Sequence, residues 1–195
     1  MIRNLFTILL GISLAFTVAC KKDGDESVFS LTSDADEAVK LIDSANDDLK
    51  GIKKLYKANE NRVEDLKLAM KDKNIEQAKK IADDAVYAIN DGMALGIKAV
   101  DKIEKAKNLN VSDEYKEYLE LKEDSLRKLM EAFELRRQIA IALRNGYDPE
   151  NIKQRDLVLA EFKEKDEKFK KLEKEAQDAS RKANKLAKDA AQDDS

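Results

Sequence analysis

Histidine and tryptophan are absent from the sequence, and cysteine and proline occur once each. Without histidine the chain lacks the commonest general base and metal ligand. That excludes the Glu-x-x-His di-metal site of ferritin-like bundles and the usual zinc sites. A lone cysteine, Cys20, excludes a disulfide within the chain. An exported domain of this size must then be held by its core alone. No Gly-rich phosphate loop or Ser-centred elbow is present either. The sequence reads as that of a non-enzyme, with no cofactor and no metal site.

What is abundant is charge. Of the 195 residues, 39% are charged, with 37 Lys+Arg against 40 Asp+Glu, and the two signs are interspersed. With one proline and only 6 glycines, such a composition belongs to long helices or a coiled coil. Near-balanced charge argues against a nucleic-acid binder, which would carry a basic face. Disorder, the other outcome of high charge, is countered by apolar residues at regular intervals.

The one long apolar run is at the start. A single cation, Arg3, precedes an almost unbroken apolar stretch over residues 5–18, then Ala19-Cys20, and charge begins at Lys21-Lys22. This is the pattern of a secretory signal peptide. A spanning helix needs about 20 predominantly apolar residues, and Thr7, Ser13 and Thr17 interrupt this shorter run. A cysteine directly after the small residue marks cleavage and acylation in bacterial lipoproteins, so Cys20 is the expected lipidation site. Two or three acyl chains hold a protein to a bilayer where one does not. Thr17 stands where the strict lipobox has leucine. Losing residues 1–19 removes Arg3 and no acid, moving the net charge from −3 to −4.

Residues 20–32 have no usable periodicity and read as the lipidated cysteine and a flexible tether. Ser33 then reads as an N-cap with Asp36 three residues on. Ala35, Ala38, Ile42, Ala45, Leu49, Ile52, Tyr56, Asn59, Val63, Leu66 and Met70 recur in steps of three and four. This seam predicts one helix over 33–71. Asn74, with Gln77, caps a second helix over 75–107, whose stripe is Ile75, Ala78, Ala82, Ala85, Ile89, Met93, Gly96 (or Ile97), Val100 and Ile103. Gly92-x-x-x-Gly96 within it reads as close helix packing or a kink. Ser112 caps a third helix over 113–145, stopped by Asn145-Gly146 in the left-handed conformation. Asp148-Pro149 then opens a fourth over 149–191, and residues 192–195 fray.

The predicted fold is all-α: an elongated antiparallel up-down-up-down four-helix bundle after a flexible N-terminal tether. At 1.5 Å per residue its length is about 50–60 Å. The turns at 71–74 and 145–148 share the end remote from the tether. Ala35, Ala38 and Ala45 are expected to face Ala183, Ala187 and Ala190 at the near end. The remote tip carries the candidate interaction residues Lys71, Lys73, Asn145 and Tyr147. Tyr147 has two readings, an exposed interface anchor or a turn tyrosine packed back on the bundle. Glu114, Glu117 and Glu120 read as a solvated acidic face. Lys163, Lys165, Lys168, Lys170, Lys171 and Lys174 offer an anionic glycan or surface a target, but the interleaved acids, Asp166 among them, favour a salt-bridged solvated face.

The loose box ending at Cys20, the charged tether and the Lys/Glu/Asp/Asn/Ile-rich helical domain together resemble the outer-surface lipoproteins of Lyme-disease and relapsing-fever spirochaetes. The resemblance is one of type and carries no functional residue over. It implies an outer-membrane location, a membrane contact through the lipid on Cys20, and a host or vector protein or glycan as partner. Non-catalytic binding at the cell surface is the function expected. A periplasm-facing structural or envelope-assembly lipoprotein is the second reading, and a carrier of a small apolar ligand the third.

Overall fold

Alanine, leucine, lysine and glutamate lose little rotamer freedom in a helix, and they dominate the chain after residue 33. A computed structural model describes residues 33–59 and 62–193. The leader, Cys20, the tether and residues 194 and 195 lie outside the described residues. Five helices follow in order: α1 (Ser33–Ala58), α2 (Arg62–Lys71), α3 (Ile75–Lys107), α4 (Asp113–Gly146) and α5 (Ile152–Asp193). No strand occurs among the described residues.

Two caps form at the residues that the sequence nominates. Asn74 Oδ1 accepts from the Gln77 N–H at 3.1 Å to begin α3, and Ser112 Oγ accepts from the Tyr115 N–H at 3.2 Å to begin α4. Other boundaries differ from expectation. The helix expected over 33–71 is two, because α1 ends at Ala58. The Asn59 side-chain amide donates to the Leu55 carbonyl at 2.6 Å, a local bond that competes with the helical ladder. The Gly92-x-x-x-Gly96 segment, read as close packing or a kink, does not interrupt α3, which is continuous.

The end of α4 is also a correction. Gly146 remains helical, and the chain leaves through an extended Tyr147 (φ −74°, ψ 115°) whose N–H donates to the Leu143 carbonyl. Asp148-Pro149 does not start α5. The Asp148 carboxylate accepts from the backbone N–H of Glu150 and Asn151, closing a turn, and Asn151 Oδ1 accepts from the Gln154 N–H to begin the helix.

Packing follows the chain: α1 lies on α3, α3 on α4 and α4 on α5, with α2 also on α3. Cross-helix bonds show that these neighbours run antiparallel. Lys102 reaches Asp48 while Arg62 reaches Asp84; Lys107 reaches Glu123 while Arg144 reaches Asp83. Asp34 Oδ2 accepts from the Asn110 N–H at 3.1 Å, placing the start of α1 beside the α3–α4 turn. We call this the N-terminal end, and the end holding the α2–α3 and α4–α5 turns the far end.

Among the described residues no Cα of α1 lies within 8 Å of one in α5. The alanine facing expected between these two helices is therefore replaced. Ala38 and Ala45 of α1 instead share a cluster with Ala99 and Ala106 of α3, all essentially fully buried. An added Cβ at Gly51 would stand 3.0 Å from Leu95 Cδ1, so glycine and alanine together let α1 lie close on α3.

The apolar interior is divided in two. One cluster joins α1, α3, α4 and Ala176 of α5, with Leu119 and Leu126 as its largest fully buried side chains. The other, at the far end, holds Leu66 and Ala69 of α2, Ala78, Ile81 and Ala82 of α3, Ile139, Leu143 and Tyr147, and Val158 and Phe162 of α5. Between them a buried ion pair, Arg136 with Asp166, packs beside the buried Phe169 ring.

Candidate functional site

The far end is assembled by two turns. The α2–α3 turn closes as a Schellman motif: the Asn74 N–H donates to the Ala69 carbonyl at 2.8 Å and the Lys73 N–H to the Met70 carbonyl at 3.3 Å. Lys73 holds the left-handed position (φ 55°), a place glycine fills more easily. Lys71 and Lys73 are exposed, as is Asn145 at the end of α4. Arg144 bonds both Asp83 of α3 (2.6 Å) and the Asn145 side chain (3.0 Å), so α4 is clamped to α3 at this point.

Tyr147 does not join the exposed set. It is 9% exposed and packs in the far-end cluster, which corrects the reading of it as a surface anchor. It shares that cluster with Leu143 near the end of α4 and Val158 near the start of α5. Burial pushes its phenol above the ordinary tyrosine range, with Arg155 acting weakly against that.

Side chains not singled out in the sequence complete the far-end surface. Leu68 is 58% exposed, Ile152 63% and Leu157 72%. Leu68 falls outside the seam that runs from Ala35 to Met70, so its spacing marks it as outward. Ile152 is the first residue of α5. The far end thus presents amines, an amide and aliphatic side chains to solvent.

Midway along the stack, Arg136 of α4 and Asp166 of α5 are buried together, Nη1 to Oδ1 at 2.9 Å. The guanidinium lies 3.8 Å from the centroid of the Phe169 ring, and Lys170 reaches the other carboxylate oxygen at 3.0 Å. Asp166 therefore leaves the solvated face assigned to it, and Arg136 is no surface cation. Glu173, one heptad beyond Asp166, has a buried Oε1 with no hydrogen-bond partner among the described residues. Burial raises its carboxyl above the usual range; Arg136 opposes this and Asp166 adds to it. The other α5 lysines are mostly laced to acids: Lys165 to Glu161, Lys168 to Glu164 and Lys171 to Glu175.

Near the N-terminal end, Lys122 donates to Asn184 Oδ1 at 2.9 Å and sits 5.4 Å from the centre of the Tyr118 ring. Tyr118 in turn stacks on Tyr115 at 5.7 Å. Burial brings the Lys122 ammonium down to about 8. Glu114, Glu117 and Glu120 are all exposed. No group of carboxylates or thiols capable of holding a metal ion occurs among the described residues. No described helix is long and apolar enough to cross a membrane.

No protein-family model, curated protein or solved structure matches the chain.

Proposed function

We propose that the chain is a lipid-anchored outer-membrane protein, displayed on the cell surface, that binds a host or vector protein or glycan without catalysis. In this reading it is a lipoprotein of the spirochaetal outer-surface type. Its helices stand as an elongated antiparallel up-down bundle on a tether that ends in acylated Cys20. The observation that carries the reading is the hydrogen bond between Asp34 and Asn110. It ties the start of α1, thirteen residues after Cys20, to the end of the stack opposite Lys71, Lys73, Asn145, Leu68, Ile152 and Leu157. With 33 residues in α3, the two ends are separated by about 50 Å at 1.5 Å per residue. An anchor at one end and exposed amines and aliphatic groups at the other is the arrangement of a displayed contact surface.

Protease treatment of intact cells tests the location. Surface display predicts digestion of the chain while the outer membrane is whole. Digestion only after permeabilisation would instead support the periplasmic role in envelope structure. Cys20→Ala should move the chain from the membrane fraction to the soluble fraction; unchanged partition would sink the lipid anchor.

A further inference from the structure

With ten residues, α2 is the shortest described helix, below the length at which isolated helices persist in water. Its hold on the protein is narrow. Among the described residues it approaches only α3 within 8 Å, and α1, α4 and α5 stay beyond that distance. Among its described side chains Leu66 and Ala69 are buried, with Met70 half-buried beside them. An ion pair from Arg62 to Asp84 (3.2 Å), partly exposed on both sides, ties its first residue to α3.

Both ends of α2 are joints. Before it, helical bonding stops at Ala58, where Asn59 turns its amide back onto Leu55. After it, the chain reverses through Lys73 in a left-handed conformation that costs a non-glycine residue free energy. The interior is organised to match. Among the described residues, those of α2 that are buried fall in the far-end cluster, while those of α1 that join a cluster fall in the other. No described residue of α2 belongs to the cluster that holds Ala38, Ala45 and Ile52.

We infer that α2 is a strap: it lifts from α3 while α1 and the rest of the stack stay folded, and uncovers Ala78, Ile81 and Ala82. Segments with few buried apolar contacts and partly exposed ties open with far less free energy than the global transition. Opening turns a closed apolar patch at the far end into an exposed one. The inference rests on packing alone and is independent of how the chain is anchored or what it binds.

Hydrogen exchange followed by mass spectrometry on the full chain tests it. The amides of residues 66–71, which have helical partners within α2, should exchange about 100-fold faster than those of residues 119–133. Leu66→Asp should speed exchange in residues 66–71 further and leave residues 100–106 and 119–133 unchanged. Exchange of residues 66–71 at the rate of the α4 core would overturn the strap. So would a Leu66→Asp variant in which all three segments accelerate together, since α2 would then belong to one cooperative unit.

Discussion

The Arg136 guanidinium and the Asp166 carboxylate meet at 2.9 Å with both side chains only 6% exposed. They lie between two apolar clusters that share no residue. Taking such ions out of water is costly, and their attraction offsets that cost only while both are present. Asp166→Leu or Arg136→Met alone should therefore lower unfolding stability by about 3–5 kcal/mol. The double variant should recover most of the loss and can exceed the native chain. Urea denaturation of the three variants checks this; additive losses would mean that the pair is not coupled.

Gly92 and Gly96 lie one turn apart on α3 and respond differently to a methyl group. A Cβ at Gly92 meets nothing within 4 Å, whereas one at Gly96 stands 3.0 Å from Met130 Sδ. Gly92→Ala should raise stability by about 1 kcal/mol through helix propensity alone. Gly96→Ala should gain less or lose, because the Met130 side chain must move. Thermal melts of both variants give the comparison, and equal gains would show that Met130 yields freely.

Lys73 occupies the left-handed position of the α2–α3 turn. Lys73→Gly relieves that conformation but frees the unfolded chain, leaving a net gain of about 0.5–1 kcal/mol. Lys73→Ala should show none of it. A chemical-denaturation midpoint that moves equally for both would point to the amine, not the backbone, as the source.

Lys122 imposes a pH dependence. Its folded value of about 8 lies below the ordinary lysine value of 10.5. Between these the unfolded chain binds the proton more tightly, so stability should rise with pH above about 8. Tyr147 acts oppositely: its raised phenol favours the folded state below pH 10, and that contribution is lost as pH rises through its folded value. The Lys122 effect is therefore read between pH 8 and 10, from urea midpoints. Lys122→Met should flatten that rise; an unaltered slope would assign it to another group.

Much of the helical layout is legible in residue spacing. Steps of three and four from Ala35 to Met70 locate the inward faces of α1 and α2, and Asn74 and Ser112 announce the starts of α3 and α4. The same spacing conceals the break after Ala58, because the seam stays in phase on either side of Asn59. Asp148-Pro149 carries the signature of a helix start, yet Asn151 performs the capping, since the Asp148 carboxylate is occupied by its own turn. On α3 the predicted stripe omits Ile81, Val86 and Ala99, which are buried as well. A helix lying between two neighbours buries more than one stripe.

The candidate site was legible in part. Lys71, Lys73 and Asn145 are exposed at one end, as turn residues without an apolar stripe tend to be. Tyr147 was ambiguous because a tyrosine after a helix end suits an interface and a core equally. Its burial depends on the cluster it joins, which brings Ile139, Leu143, Val158 and Phe162 together with residues of α2 and α3.

The sequence by itself determined the all-helical class, the amphipathic faces and the signature around Cys20, since these depend on composition and on intervals of a few residues. Tertiary structure alone decided that Arg136 and Asp166, 30 residues apart, are a buried pair instead of two solvated charges. It also decided that α1 packs on α3 and stays clear of α5. Local spacing states which side of a helix turns inward; which helix it meets, and at what distance, depends on all the side chains that must fill the space between.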